Sequence, residues 1–232
     1  MQEKAIKGCL FDFNGTVFFD TELHIEAFRR YSLRHGFEPM SRKYVVEKIL
    51  GKTNSIILRE NYLPDATSED IFAFDNEKEG LYRELCLERP DMMRFAEGIY
   101  EFIEFLQKNS IPYCLATSSE ITNINFYREH MDLDRWFPDD RLVYDNKTFN
   151  GKPAPDIYEI AAAKIGLAPK ECVVFEDGTS GMLAAKNAGV GAIVSVYEEG
   201  LPSPVTEDIS PFTVIHSYRD WKNIIKRLGI IN

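Results

Sequence analysis

From residue 98 to the end of the chain, short apolar runs alternate with stretches of helical periodicity, and this alternation limits the possible folds most. Apolar runs typical of buried strands lie at 111–117, 142–144, 172–175, 192–196 and 213–215. Another such run, at 6–11, lies near the start of the chain. Strand–helix alternation of this kind predicts an α/β protein with a doubly wound, mostly parallel sheet.

Between residues 21 and 94 the pattern is helical, with no convincing strand. Helical patterns cover 22–35, 44–50, 53–61, 68–79 and 80–88. Ser68, followed by Glu69 and Asp70, is typical of the start of a helix. We therefore predict a Rossmann-like core made of residues 1–18 and 97–232, with an inserted helical cap domain at 19–96.

Composition and charge narrow the kinds of partner to expect. The 37 acidic and 27 basic residues give a net charge of −10, which disfavours a broad surface for nucleic acid or an anionic membrane. No apolar run approaches the length of a membrane-spanning helix. Neither a disulfide framework nor a zinc site is expected, because no CxxC spacing occurs among Cys9, Cys86, Cys114 and Cys172. We expect a cytoplasmic monomer that binds neither nucleic acid nor a membrane.

Side chains capable of chemistry gather where the predicted strands end. Each one alone has an ordinary explanation as a turn residue, a helix N-cap or a solvated loop charge. In open α/β sheets, however, ligands bind at the edge formed by the carboxyl ends of the strands. The residues that reach this edge are Asp12 and Asn14, then Thr117, Ser118 and Ser119, then Lys152, and finally Glu176 and Asp177.

Two of these segments carry a family resemblance. The stretches GKPAPDIY, at 151–158, and FEDGTSGMLAAKNAG, at 175–189, resemble the third and fourth motifs of the β-phosphoglucomutase-like phosphatases. These belong to the haloacid dehalogenase superfamily, in the subclass whose helical cap is inserted after the first motif. The resemblance spans the whole chain and implies phosphoryl transfer that depends on Mg²⁺.

The resemblance also implies a catalytic role for individual residues. Asp12 is similar to the nucleophile that forms an aspartyl phosphate. Thr117 matches the hydroxyl that binds the phosphoryl oxygens, with Ser118 and Ser119 beside it. Lys152 matches the lysine that pairs with both the nucleophile and the phosphoryl group. A carboxylate that attacks phosphorus needs its own charge shielded, and a lysine at this position meets that need.

A Mg²⁺ site follows from the same resemblance. Glu176 and Asp177 match the acidic pair that holds the ion, together with Asp12 and the backbone carbonyl of Asn14. Oxygen ligands of this kind are those that Mg²⁺ prefers, and the substrate phosphate supplies others.

Asn14 departs from the family pattern, which usually has an aspartate there as general acid and base. An amide cannot exchange a proton near neutral pH, so that contribution should be lost. Three explanations stay open: this branch works without the second aspartate, another residue replaces it, or the residue was changed to trap an intermediate. Asp20, Glu22 and His24 follow closely and are candidates for a replacement, although N-cap and solvated helix positions explain them equally well.

In the predicted cap, His24 and Lys52 are candidate substrate-binding residues. Asn54 falls where relatives often carry an arginine, which makes the second-phosphate clamp of a bisphosphate-using mutase doubtful. The predicted function is hydrolysis of a small phosphorylated metabolite by a Mg²⁺-dependent phosphatase. A phosphonate hydrolase, a phosphomutase, and a phosphate-binding protein with little or no turnover are the alternatives.

Overall fold

The computed structural model describes residues 6–231, which divide into two compact units. One unit runs up to Phe19 and resumes at Arg94, and the other is Asp20–Met93. No helix in the described part of the chain is both long and apolar enough to cross a membrane.

The unit Asp20–Met93 is helical. Its elements are α1 (Thr21–Arg34), α2 (Arg42–Tyr44) running into a π-helical turn (Val45–Ile49), α3 (Asn54–Asn61), α4 (Ser68–Glu88) and a 3₁₀ turn (Pro90–Met92). Buried side chains of α1 and α4 form its core, with the Tyr31 and Phe74 rings packed edge-to-face at 4.8 Å. An amphipathic helix pair of this kind is held together mainly by its buried apolar faces.

Helix α4 differs from its prediction in one respect. It begins at Ser68 as expected, and Thr67 caps it by accepting a hydrogen bond from the Asp70 amide in a capping box. The predicted separation into two segments at Gly80 is wrong, because the helix continues through this residue to Glu88. A glycine inside a helix costs only about 1 kcal/mol relative to alanine. Burial of Leu81, Leu85 and their neighbours on α4 outweighs that cost.

The larger unit is built on a six-stranded parallel sheet. Its strands are β1 (Gly8–Phe11), β2 (Tyr113–Glu120), β3 (Leu142–Asp145), β4 (Cys172–Glu176), β5 (Ala192–Val196) and β6 (Thr213–Ile215), in the spatial order β3-β2-β1-β4-β5-β6. All neighbouring pairs are parallel. The predicted fold class, a Rossmann-like doubly wound α/β sheet, is confirmed.

Helices cover both faces of the sheet. They are α5 (Ile99–Lys108), α6 (Ile121–Met131), α7 (Leu133–Trp136), α8 (Asp156–Lys164), α9 (Thr179–Asn187) and α10 (Trp221–Arg227). On one face Phe11 of β1 stacks on Phe175 of β4 at 4.9 Å and meets Phe102 of α5 edge-to-face. On the other face Leu10 shares a buried cluster with residues of α8 and α9. The alternation of Leu10 and Phe11 therefore anchors both layers of the core.

The strand order places a topological switch point between β1 and β4. From β1 the chain proceeds through β2 to β3 on one side of the sheet, and β4 to β6 lie on the other side. Phe11 pairs with Phe175, and the Asp12 amide donates to the Phe175 carbonyl at 3.0 Å. Strand β2 runs to Glu120, three residues beyond its predicted end at Thr117, with a register shift between these two residues. Ligands of doubly wound sheets bind at the carboxyl edge of such a switch point.

Candidate active site

Three carboxylates meet at the switch point. Asp12 follows β1, Glu176 ends β4 and Asp177 comes next, and each offers an oxygen within 4.8 Å of the others. Asp12 and Glu176 are buried, since they are 6% and 3% exposed. The adjacent parallel strands bring together carboxylates that are about 165 positions apart in the sequence.

Two glycines allow the backbone to approach these carboxylates. Gly15 has a left-handed backbone with φ of 79°, and a Cβ atom there would lie 2.1 Å from Asp177 Oδ2. A Cβ atom on Gly181, in the first turn of α9, would lie 2.1 Å from Glu176 Cδ. Thr16, in the turn after β1, donates from Oγ1 to Asp177 Oδ1 at 3.0 Å. The acidic cluster is therefore enclosed by backbone that only glycine permits at these two points.

Lys152 supplies the positive charge next to the cluster. Its ammonium group lies 2.6 Å from Asp12 Oδ1 and 2.8 Å from Glu176 Oε2, and its side chain is only 8% exposed. Burial opposes the charge on this lysine, but Asp12 and Glu176 outweigh it and raise the pKa of the ammonium group well above its usual value. The group is thus a permanent cation at neutral pH.

Burial and mutual repulsion disfavour the charged forms of the aspartates. Burial raises the pKa of Asp12 to about 7, and Glu176 adds to the shift while Lys152 opposes it. For Asp177, burial and the charges of Asp12 and Glu176 hold the pKa well above its usual range. Ionising both aspartates is therefore costly unless further positive charge is present.

The donor set fits a hard divalent cation. Three carboxylates face one ammonium group, so the fully ionised cluster has an excess of negative charge. Carboxylate oxygens without cysteine or histidine are typical of Mg²⁺ and Ca²⁺ sites rather than of zinc sites. The predicted contribution of the Asn14 backbone carbonyl to such a site stays a prediction.

Asn14 has its side chain held between two hydroxyl groups. Ser119 donates from Oγ to Asn14 Oδ1 at 2.8 Å, and Asn14 donates from Nδ2 to the Tyr127 hydroxyl at 3.0 Å. Tyr127, on α6, is fully buried, and its ring lies 4.7 Å from that of Phe13. This pattern identifies the accepting oxygen and the donating nitrogen of the Asn14 amide. It also means that the hydroxyl proton of Ser119 is used in the hydrogen bond to Asn14.

The other predicted phosphate-binding hydroxyls lie at the end of β2. Thr117 is buried, and its Oγ1 accepts a hydrogen bond from the Ser119 amide at 3.1 Å. Ser118, between them, is exposed, and it lies in the part of β2 where the register with β3 shifts. Within the larger unit the structure thus brings Asn14 and Ser119 into direct contact, and Lys152 into contact with Asp12 and Glu176.

The predicted substrate contacts His24 and Lys52 belong to the helical unit and stay predictions. One ring nitrogen of His24 lies 2.8 Å from Lys78 Nζ and the other 3.2 Å from Asp20 Oδ2. The ammonium group of Lys52 is paired with Glu60 at 2.5 Å. Asp20, a candidate replacement acid, is buried and accepts a hydrogen bond from the Tyr82 hydroxyl at 2.5 Å.

Four residues that contact this site were not predicted as part of it. Gly181 stands within the quoted stretch at 175–189, and Thr16 follows Asp12 by four residues, so their positions near Glu176 and Asp12 were a usable signal. Tyr158 closes the GKPAPDIY stretch, and its hydroxyl donates to Glu176 Oε2. Tyr127 belongs to an otherwise ordinary helical pattern, and nothing in the sequence distinguishes it from a core residue.

The fold and the site together define a Rossmann-like α/β protein with a lysine-paired acidic cluster at its switch point. Comparison with known families gives the same result more specifically. The family of haloacid dehalogenase-like hydrolases matches residues 6–189. The chain belongs to this family and is therefore an enzyme. The predicted family and the prediction that the protein is an enzyme are both confirmed.

Individual relatives agree with this assignment. The chain is 31% identical over 196 residues to the phosphorylated carbohydrates phosphatase of Thermotoga maritima. The matched region covers 82% of this chain and 85% of that relative. A hydrolase of family IA, variant 3, from Entamoeba histolytica has a TM-score of 0.84 at 31% identity, covering 96% of this chain and 99% of the other. A β-phosphoglucomutase from Clostridium difficile shares the fold, with a TM-score of 0.77, 20% identity and 97% of each chain covered.

Proposed function

We propose that this protein is a Mg²⁺-dependent phosphatase that hydrolyses small phosphate esters through a phosphorylated Asp12. One observation carries the proposal: a buried ammonium group, on Lys152, contacts Asp12 and Glu176 inside a cluster of three carboxylates. Phosphoryl transfer depends mainly on positioning and charge neutralisation. A buried lysine beside buried carboxylates supports both requirements.

In the proposed first step, an oxygen of Asp12 forms a bond to phosphorus while the bond from phosphorus to the ester oxygen breaks. Lys152 screens the charge of Asp12, and the Thr117 hydroxyl donates to a phosphoryl oxygen. Asp12, Glu176 and Asp177, with the Asn14 carbonyl, would hold Mg²⁺, whose charge favours phosphoryl oxygens.

In the second step, water attacks the phosphorus of the aspartyl phosphate, which releases inorganic phosphate and restores Asp12. The Asn14 amide cannot donate a proton to the departing alkoxide or accept one from the attacking water. Both proton transfers must therefore use solvent or another group. We infer that leaving groups of low basicity react more readily than ordinary alcohols.

Phosphorylated carbohydrates are the proposed substrate class. Support comes from the Thermotoga maritima relative, whose name specifies them and which the chain matches over most of its length. In the proposed steps the site acts on the phosphoryl group alone, through Asp12 and Thr117, so the larger unit assigns no further part of the substrate.

A panel of sugar phosphates, aryl phosphates, phosphoanhydrides and phosphonates, assayed for phosphate release with Mg²⁺ and with a chelator, tests the proposal. We expect release from the phosphate esters that requires Mg²⁺ and that is absent in Asp12→Asn. The exposed Asp140→Asn substitution is the matched control and should leave release unchanged. Release that persists in Asp12→Asn would refute the covalent mechanism, and release from phosphonates alone would favour the phosphonate hydrolase.

The Asn14 hydrogen bonds favour a second candidate, a phosphate-binding protein with little turnover. Ser119 and Tyr127 hold an amide where a proton-transferring group is expected. Binding of inorganic phosphate or a sugar phosphate without release from any member of the panel would support this function. Isothermal titration calorimetry with phosphate and Mg²⁺ measures that binding directly.

A further inference from the structure

A buried tyrosine lies on the side of the acidic cluster formed by α8. Tyr158, the third residue of that helix, is fully buried. Its hydroxyl donates to Glu176 Oε2, and the Lys152 ammonium group lies 5.2 Å from the centre of its ring. The same side chain therefore contacts a candidate metal ligand through its hydroxyl and the catalytic lysine through its ring.

The hydrogen bonds of Glu176 distinguish its two oxygens. Oε2 accepts from both Tyr158 and Lys152, whereas Oε1 accepts one hydrogen bond, from the Gly178 amide at 3.2 Å. A carboxylate oxygen has two lone pairs in its plane, so Oε2 is fully used and Oε1 keeps one lone pair. Oε1 is thus the oxygen that Glu176 can offer to a cation.

Packing prevents the carboxylate from choosing another orientation. The backbone of Gly181 lies so close that a Cβ atom there would be 2.1 Å from Glu176 Cδ. The same carboxylate is also held by the hydrogen bonds from Tyr158 and Lys152. Of the two donors to Oε2, Lys152 is the charged one and the Tyr158 hydroxyl is the neutral one.

We propose that Tyr158 is a positioning residue of the cation site, which holds Glu176 so that Oε1 is directed toward a hard divalent cation. This inference rests on the proposed function, because it requires that the acidic cluster binds Mg²⁺. Groups that hydrogen-bond to metal ligands orient those ligands and tune metal affinity, and their loss typically weakens binding about 10–100-fold.

The test is the affinity of the protein for Mg²⁺, measured by isothermal titration calorimetry on chelator-treated protein in the absence of substrate. Tyr158→Phe removes the hydroxyl and keeps the ring, its burial and its contact with Lys152. We expect Mg²⁺ affinity to fall about 10–100-fold. At saturating Mg²⁺ the activity should recover, so that the Mg²⁺ concentration for half-maximal rate rises while the maximal rate changes little.

Tyr113→Phe is the matched control. Tyr113 is also fully buried in the larger unit, and its hydroxyl donates to the Trp136 carbonyl at 2.9 Å, at the start of β2 and away from the acidic cluster. Loss of this hydroxyl should leave Mg²⁺ affinity unchanged. Thermal unfolding of both variants in chelator shows whether either substitution disturbs the fold itself.

A double-mutant cycle separates positioning from a general structural effect. In a Glu176→Gln background the carboxylate that Tyr158 orients is gone, so Tyr158→Phe should weaken Mg²⁺ binding no further. Equal affinity in wild type and Tyr158→Phe would overturn the inference, as would an equal additional loss in the Glu176→Gln background. Absence of Mg²⁺ binding in the wild type would instead refute the proposed function.

Discussion

At the scale of single residues, Asn14 has the largest predicted effect on turnover. Its amide lies two residues after Asp12, the proposed nucleophile, where a proton donor is expected, and Ser119 and Tyr127 hold it in one orientation. An aspartate at this position would be held by the same two hydroxyls, since each can donate to a carboxylate. The side chain would therefore be placed in the same way but could transfer protons.

We predict that Asn14→Asp raises turnover of sugar and alkyl phosphates by about 10²–10⁴-fold, the usual contribution of general acid–base catalysis. Activated aryl phosphates should gain less in the first step, because their leaving groups depart without a proton. Steady-state and burst kinetics on both kinds of substrate measure the effect. Mass spectrometry should detect a phosphoryl adduct on Asp12 that accumulates more in the wild type than in the variant.

Asn125→Asp is the control for added charge, because Asn125 is exposed on α6 and lies outside the acidic cluster. It should leave turnover unchanged. No adduct, no burst and no gain in Asn14→Asp would together contradict the catalytic role of this position and favour the phosphate-binding protein.

Gly181 provides a second residue-scale prediction. An alanine there places Cβ 2.1 Å from Glu176 Cδ, so either the carboxylate or the start of α9 must move. We expect a loss of about 1–3 kcal/mol in the free energy of unfolding, typical of overpacking, together with weaker Mg²⁺ binding. Gly151→Ala, where a Cβ would meet nothing within 4 Å, is the control. Unchanged stability and Mg²⁺ affinity in Gly181→Ala would disprove the close packing.

At the scale of elements, α4 allows two substitutions with opposite expected effects. Thr67→Ala removes the side chain that caps the helix and should lower the free energy of unfolding of the helical unit by about 1 kcal/mol. Gly80→Ala lies in the helix interior with no atom closer than 3.9 Å to the new Cβ, and should raise it by roughly 0.5–1 kcal/mol. Denaturant unfolding followed by far-ultraviolet circular dichroism compares the two. Shifts of both midpoints in the same direction would contradict this account of the helix.

At the scale of the whole molecule, we predict that Mg²⁺ stabilises the native state. A ligand that binds only the native state at a concentration 100 times its Kd adds about 2.7 kcal/mol to the free energy of unfolding. The physical reason is the repulsion among Asp12, Glu176 and Asp177, which a cation relieves. Thermal unfolding with Mg²⁺ and with a chelator should show a higher melting temperature with Mg²⁺.

Asp177→Asn refines this prediction. It removes one of the repelling charges while its side-chain oxygen can still accept from Thr16, so the chelated variant should unfold no earlier than the chelated wild type. Addition of Mg²⁺ should then have little effect. The Asp134→Asn substitution, at an exposed carboxylate outside the acidic cluster, should leave the Mg²⁺ effect as large as in the wild type. A Mg²⁺ effect that is undiminished in Asp177→Asn would place the ion elsewhere.

The sequence by itself determined the features that depend on local pattern. The period and length of the apolar runs predict the parallel sheet, and apolar residues at helical spacing predict the helices of 20–93. Both patterns arise because an element that buries one face needs apolar residues at the repeat of that face. Motif letters at strand ends also predict the gathering of Asp12, Lys152 and Glu176, since parallel strands carry their carboxyl ends to one edge. The family follows from the same residues.

Only the tertiary structure decided the contacts between residues that are far apart in the sequence and that no local sequence pattern connects. Tyr127 meets Asn14 from 113 positions away, and Tyr158 meets Glu176 from the first turn of a helix whose pattern marks that position simply as apolar. The continuity of α4 through Gly80 was likewise decided by burial of its flanking side chains, which outweighs local helix propensity. Such contacts depend on how distant elements pack, and a buried tyrosine looks the same in sequence whether its hydroxyl orients a carboxylate or only completes the core.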